Sequence, residues 1–191
     1  MTSSPPSVLV VEDETELAEL FAEWLNAEYD VRIATTGEEA LAEIDADVDV
    51  VLLDRLMPGI SGDEVLETIR DQEYDCRVAM VTAVEPDFDV LGMGFDDYVV
   101  KPVFREDVRR LVDGLVERHA YDKRLSELFA SASKLAALEA HKRPEELEDS
   151  EEYRHAREAF ERAKDRVKAL EAEMSESDFD AVFYDFDQID L

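Results

Sequence analysis

The chain has 191 residues, 46% of them apolar, which suits one medium domain with an appendage and excludes a chain disordered throughout. Fifty acidic residues against twenty basic ones give a formal charge of -30, so nucleic acid is a poor partner for the surface. Cys76 is the only cysteine, which excludes an intrachain disulfide. With no apolar run near 18 residues and a polar arm over 1–6, the chain reads as a soluble cytoplasmic protein without a membrane partner.

Five short aliphatic runs, at 7–11, 31–34, 48–53, 78–81 and 98–100, are too brief for helices and suit strands covered on both faces. Helical spacing lies between them. Leu17, Leu20, Phe21, Trp24 and Leu25 recur at three and four residues, Ala40, Leu41 and Ile44 follow, and Val65, Leu66 and Ile69 form the next stripe. Thr36-Gly-Glu-Glu39 reads as a capping box in which Glu39 reaches back to the Thr36 amide. Five alternations of strand and helix over about 120 residues indicate a doubly wound parallel α/β sheet.

In such a sheet, residues at the carboxyl ends of the strands converge on one crevice. Glu12 and Asp13 end the first run, Asp54 the third, Thr82 the fourth and Lys101 the fifth. Three carboxylates in one pocket repel unless cations neutralise them. A small hard ion, Mg2+ foremost, would take Asp13 and Asp54 as oxygen ligands together with a backbone carbonyl near Leu56, and Lys101 would add a point charge. Asp54 then becomes a nucleophile toward phosphorus, with aspartyl phosphate as product. Thr82 is placed to donate its hydroxyl to a phosphoryl oxygen, and Tyr98 to rotate inward behind it, which makes the site a switch.

The motifs V-L-V-V-E-D at 8–13, L-L-D-R-L-M-P-G at 52–59, V-T-A at 81–83 and D-D-Y-V-V-K-P at 96–102 resemble the receiver domain of two-component response regulators, over about 7–118. The resemblance implies a flavodoxin-like sheet of order 2-1-3-4-5 and a phosphoacceptor switch with limited self-catalysed phosphorylation and dephosphorylation. It implies Asp54 as acceptor of a phosphoryl group from a sensor histidine kinase, Glu12 and Asp13 as the acidic pair for magnesium, Thr82 and Tyr98 as the switch pair and Lys101 as phosphoryl sensor. A cis peptide bond before Pro102 is implied as well. Two positions after Asp54 and two after Thr82 stand the apolar Leu56 and Val84, neither able to hold a hydrolytic water, so the phosphoryl group is expected to persist.

The chain departs from the family in two places. Between Thr82 and Lys101 it is about three residues short, so the fourth helix, drawn from Pro86 to Met93, is at best a turn. Phe95 stands where the family has a small residue, and reads as core filler beside that shortened segment.

The stretch 119–176 is of another kind. Val108, Leu111, Leu115, Tyr121, Leu125, Leu128, Ala132, Leu135 and Leu138 form one stripe, and Tyr153, Ala156, Phe160, Ala163, Val167, Leu170 and Met174 another, with a proline and a charge run at 142–150 between them. This predicts an α-helical coiled hairpin, closed on itself or paired with a second chain as a homodimer. Its first helix, if unbroken over 104–141, would run to about 55 Å. An acidic-aromatic tail, 177–191, comes after it. Receiver, shortened fourth helix and helical tail together resemble haloarchaeal regulators with a HalX domain, and an acid excess in which only six of the twenty cations are lysine fits a high-salt cytoplasm.

Rival functions find less support in the residues. Phosphatases with a nucleophilic Asp carry a second Asp two positions on, where this chain has Leu56, and no phosphate-binding glycine loop comes after a strand. His141 and His155 lie in no phosphotransfer motif. The alternative output is that of a DNA-binding transcriptional regulator using the six bases of 153–168. These interleave with acids, so interaction or dimerisation through the hairpin, toward an unknown downstream protein, ranks ahead.

Overall fold

Five parallel strands form one sheet in the order β2-β1-β3-β4-β5, where β1 is Ser7–Val11, β2 Asp30–Ala34, β3 Val50–Leu53, β4 Arg77–Thr82 and β5 Asp97–Val100. A computed structural model describes residues 4–173 of the chain. Alternation along the central strands sends side chains to opposite faces, and both faces are dry. Leu9, Val11, Val51, Leu53, Val78 and Met80 pack against α2 (Gly37–Glu43) and α3 (Gly62–Asp71) through Ala40, Ile44, Val65, Leu66 and Ile69. Val8, Val10, Val50, Leu52, Ala79 and Val81 face the other way, onto Ala18, Phe21 and Leu25 of α1 (Thr15–Leu25) and Val108, Val112 and Leu115 at the start of α4 (Arg105–His141). Each fully buried aliphatic side chain of this kind contributes about 1.5–3 kcal/mol against leaving it in water.

The expected order 2-1-3-4-5 is found, and several local expectations change. The edge strands β2 and β5 are half exposed, because each has a neighbour on one side only. Strand β3 starts at Val50 instead of position 48, since the Val48 amide is turned back to the Asp45 carbonyl at 3.4 Å. Thr36 does cap α2 by accepting from the Glu39 amide at 3.1 Å, but the Glu39 carboxylate reaches one residue further, to the Thr35 amide at 2.8 Å and the Thr35 hydroxyl at 2.9 Å. A complete capping box opens α3, where Ser61 and Glu64 satisfy each other's amides. In place of a fourth receiver helix stands one 3-10 segment, Phe88–Gly92, which buries none of its residues. Phe95 packs half-buried against the core, its ring 5.4 Å from that of Tyr98.

Cys76 lies in that core at 5% exposure, and burial pushes its thiol up to about 11. At pH 8 roughly one thiol in a thousand is then ionised. Alkylation of Cys76 in the folded protein is expected to run at least about two orders of magnitude slower than in the guanidinium-unfolded chain; equal rates, measured by mass spectrometry, would contradict the packing.

The chain divides into two units at Val116/Glu117, a boundary that falls within α4. In the second unit, α4 runs on to His141, and α6 (Glu151–Glu173) returns beside it as a helical hairpin. The connection is itself helical: Pro144, whose missing N–H costs nothing at a first turn, opens the short α5 (Pro144–Glu148). Tyr153 donates to Glu139 at 2.6 Å across the hairpin, and that bond to a carboxylate pulls its phenol upward. The seam is shallower than the stripes suggest. Leu135, Ala163 and Val167 are buried, Phe160 is half-buried, and Leu138 is 40% exposed. Met174 and the tail 177–191 lie outside the described residues.

Candidate functional site

Parallel pairing brings the strand ends level, with Val11 opposite both Ala34 and Leu53, and Thr82 opposite Val100. The ladder continues one residue past the strands. The Glu12 amide donates to the Ala34 carbonyl at 3.0 Å, Asp54 to Val11 at 2.9 Å and Lys101 to Thr82 at 2.8 Å. Those three backbones are therefore held by neighbouring strands and not left to loops. Gly62 adds a constraint from behind. A Cβ on it would lie 2.1 Å from the Asp54 carbonyl oxygen, so only glycine lets α3 start this close to the crevice.

Lys101 Nζ donates to Glu12 Oε2 and to Asp54 Oδ2, each at 2.6 Å, while the Leu56 amide donates to Asp54 Oδ1 at 3.1 Å. Glu12 is 2% exposed, Asp54 7%, and Asp13 is open to solvent. One oxygen from each of the three carboxylates lies within 4.8 Å of the others. Glu12 Oε1 is buried without a hydrogen-bond partner. A buried orphan acceptor of this sort is costly, and a cation beside it would remove the cost.

Burial pushes the Glu12 carboxyl above its ordinary 4.5, and the Asp54 charge adds to this, while the Lys101 hydrogen bond and charge pull the other way without prevailing. Burial alone would lower Lys101, but the hydrogen bonds and charges of Asp54 and Glu12 outweigh it and carry the ammonium upward. The sign comes from linkage. A raised folded-state value for Glu12 favours folding below pH 4.5 and loses that contribution as pH rises through the folded value, whereas the raised Lys101 ammonium adds stability that is present at neutral pH and lost only as pH rises through its own folded value. A cation beside Glu12 offsets the cost of burying its charge.

Thr82 is wholly buried, its hydroxyl accepting from the Val84 amide at 3.4 Å. Tyr98 donates to the Val84 carbonyl at 2.9 Å, so these two side chains meet at the segment just after β4. Val84 is half-buried, whereas the Leu56 side chain is 64% exposed. The Lys101–Pro102 peptide bond is cis.

Arg55 is the residue that sequence reasoning passed over. Next to Asp54 and 13% exposed, it holds Asp63 of α3 through Nε at 3.0 Å and through Nη2 at 3.1 Å, and it also pairs with Asp89 of the 3-10 segment. A lone arginine beside a candidate acceptor in a chain so rich in acid was the available signal.

The response regulator receiver domain model matches residues 8–113, more than half of the chain. This chain belongs to the response regulator receiver family. C-terminal to the receiver, a HalX domain model matches 117–183. A candidate transcriptional regulator of Haloferax volcanii is 46% identical over 87% of this chain, and that match covers 27% of the Haloferax protein. The sensory transduction protein RegX3 of Mycobacterium tuberculosis is 40% identical over 61% of the chain and is covered over 53% of its own length. The chain thus spans between a quarter and about half of these relatives. The crystal structure of the response regulator TrrA from Thermotoga maritima, in complex with Mg2+ and BeF, superposes with a TM-score of 0.51 at 36% identity, covering 58% of this chain and 98% of that one. Among the described residues no helix is long and apolar enough to cross a membrane.

Proposed function

We propose that this receiver is the phosphorylation-dependent switch of a two-component system, with Asp54 accepting a phosphoryl group from a sensor histidine kinase. The observation that carries the reading is the Lys101 bridge, one ammonium bonded at 2.6 Å to both Asp54 and Glu12 beside an unpartnered Glu12 oxygen and the open Asp13 carboxylate. An all-oxygen donor set with a surplus of negative charge fits Mg2+, which Asp13, Asp54, Glu12 and the Leu56 carbonyl would hold. Bound there, Mg2+ would neutralise phosphoryl oxygens during transfer.

The chain's own residues do the rest. An Asp54 carboxylate oxygen bonds to phosphorus as the bond to the donor's nitrogen or oxygen breaks, and the leaving group departs with its electron pair and takes a proton from solvent. Lys101 is already on Asp54 and offsets the charge that arrives. Thr82 turns its hydroxyl toward a phosphoryl oxygen, which weakens its present contact with the Val84 amide, and Tyr98 leaves the Val84 carbonyl to fill the space behind. We read 7–118 as the receiver, 119–176 as the hairpin that passes the state to a partner or a second copy, and 177–191 as a separate tail, in a cytoplasmic protein. The six bases of 153–168 interleave with Glu158, Glu161 and Asp165, which counts against DNA as the target.

The direct test is intact mass after incubation with acetyl phosphate and Mg2+ in molar salt. One phosphoryl group is expected, on the peptide containing Asp54, and no incorporation would overturn the reading. Dephosphorylation adds a kinetic expectation. An exposed Leu56 and a half-buried Val84 cannot orient a water, so Leu56→Asn should shorten the phosphoryl lifetime by roughly tenfold, less than a full acid-base group supplies. Equal lifetimes would remove that role from position 56.

A further inference from the structure

Between β4 and β5, Met93 and Phe95 pack on the core, whereas the 3-10 segment that precedes them is held differently. Phe88–Gly92 buries no residue, and Phe88 and Leu91 stand 87% and 82% exposed, so apolar packing hardly anchors it. Its backbone hydrogen bonds, Val90 to Asp87 and Met93 to Val90, stay within the segment. The side-chain link from it to the sheet's crevice is Asp89 to Arg55. Arg55 is in turn fixed by the forked contact with Asp63 at the first turn of α3. One side chain thus joins the residue after Asp54 to α3 and to the 3-10 segment.

We infer that Arg55 is a positioning residue that, through Asp89, holds the 84–93 segment in the unphosphorylated arrangement and sets how readily Asp54 is loaded. The inference rests on the reading of Asp54 as acceptor. Loading draws Thr82 and Lys101 toward the new oxygens, and these two residues bracket the segment in sequence. Tyr98 can leave the Val84 carbonyl only if Val84 and the residues after it give way. The Arg55–Asp89 pair opposes that movement because Arg55 is also held by Asp63 and cannot track Asp89 freely. A contact that stabilises the unloaded arrangement weakens loading by the same factor, and its removal strengthens loading. Asp89 touches neither metal ligands nor the phosphoryl position, so its loss acts through the segment and not through the chemistry.

The test compares the full chain, wild type and Asp89→Asn, in Mg2+ with beryllofluoride as the probe, at one fixed salt concentration. Asp89→Asn should bind beryllofluoride about fivefold more tightly, the low end of ordinary coupling between sites. Amide exchange at 84–93 should be faster in the unloaded variant than in unloaded wild type, and the two should agree once loaded. Arg55→Lys, which keeps the charge but loses the fork, should tighten binding by an intermediate factor, and Asp89→Glu should restore wild-type affinity. Unchanged or weaker binding by Asp89→Asn, beside normal wild-type binding, overturns the inference and leaves the reading of Asp54 intact. Absence of binding by the wild type overturns that reading and this inference together.

Discussion

Asp54→Asn is expected to bring phosphodonor labelling down to background while the receiver stays folded. The three carboxylates are not equivalent. Glu12 is buried and engaged with Lys101, Asp13 is exposed, and Asp54 joins a near-buried position to contact with both Lys101 and the Leu56 amide. An amide in place of Asp54 keeps the shape but removes the anionic nucleophile. Because the substitution also removes one charge from a repelling cluster, the thermal midpoint should hold or rise. Chelation of Mg2+ in the wild type should stop labelling just as completely. The measurement is intact mass with peptide mapping. Label on Asp13 or Glu12 in the wild type, or wild-type labelling of Asp54→Asn, would refute the assignment.

The largest expected effect on stability lies away from the crevice, at Asp96. Its Oδ2 accepts from the buried Val78 amide at 2.7 Å and from Arg70 at 2.8 Å, and its Oδ1 accepts from Arg77 at 2.5 Å. Arg70 meanwhile holds the Gly94 carbonyl at 2.6 Å and the Cys76 carbonyl at 2.9 Å, so Asp96 anchors the turn that leads into β5. Asp96→Ala leaves the Val78 amide unsatisfied, costing about 1–3 kcal/mol. The two ion pairs are partly solvated and add roughly 0.2–1 kcal/mol each. A total of about 3 kcal/mol should lower the midpoint by roughly 10 °C or more for a domain near this size. Asp96→Asn, which retains one acceptor, should cost less. A loss under about 1 kcal/mol in Asp96→Ala, by urea unfolding, would show that the turn is held by packing instead.

Much of the crevice is legible in the order of residues along the chain. Aliphatic runs of three to six residues show where strands end, and in a parallel sheet strand ends share one edge, so Glu12, Asp13, Asp54, Thr82 and Lys101 can be grouped although they span ninety positions. The weak fourth segment is visible only against the resemblance to receivers, beside which the chain is about three residues short between Thr82 and Lys101. The seam of the hairpin is legible in period but not in depth. Helical spacing says which residues share a face, while burial depends on how closely the partner packs at each level, and Leu138 stays exposed where Leu135, one turn earlier, is covered.

The sequence by itself determined everything governed by local periodicity and chain order: the alternation of strand and helix, the cap at Thr36, and the edge on which the acids meet. Only the tertiary structure decided which acid each long cation takes. Arg55 chooses Asp63 and Asp89, eight and thirty-four positions away, Arg70 chooses Asp96, and Lys101 bridges Glu12 and Asp54. The same limit applied to Glu39, whose carboxylate reached past the expected amide to Thr35. The reason is physical. Backbone periodicity is written in neighbouring residues, whereas a flexible side chain among fifty carboxylates selects its partner by distance and burial, and both arise only after the chain has packed.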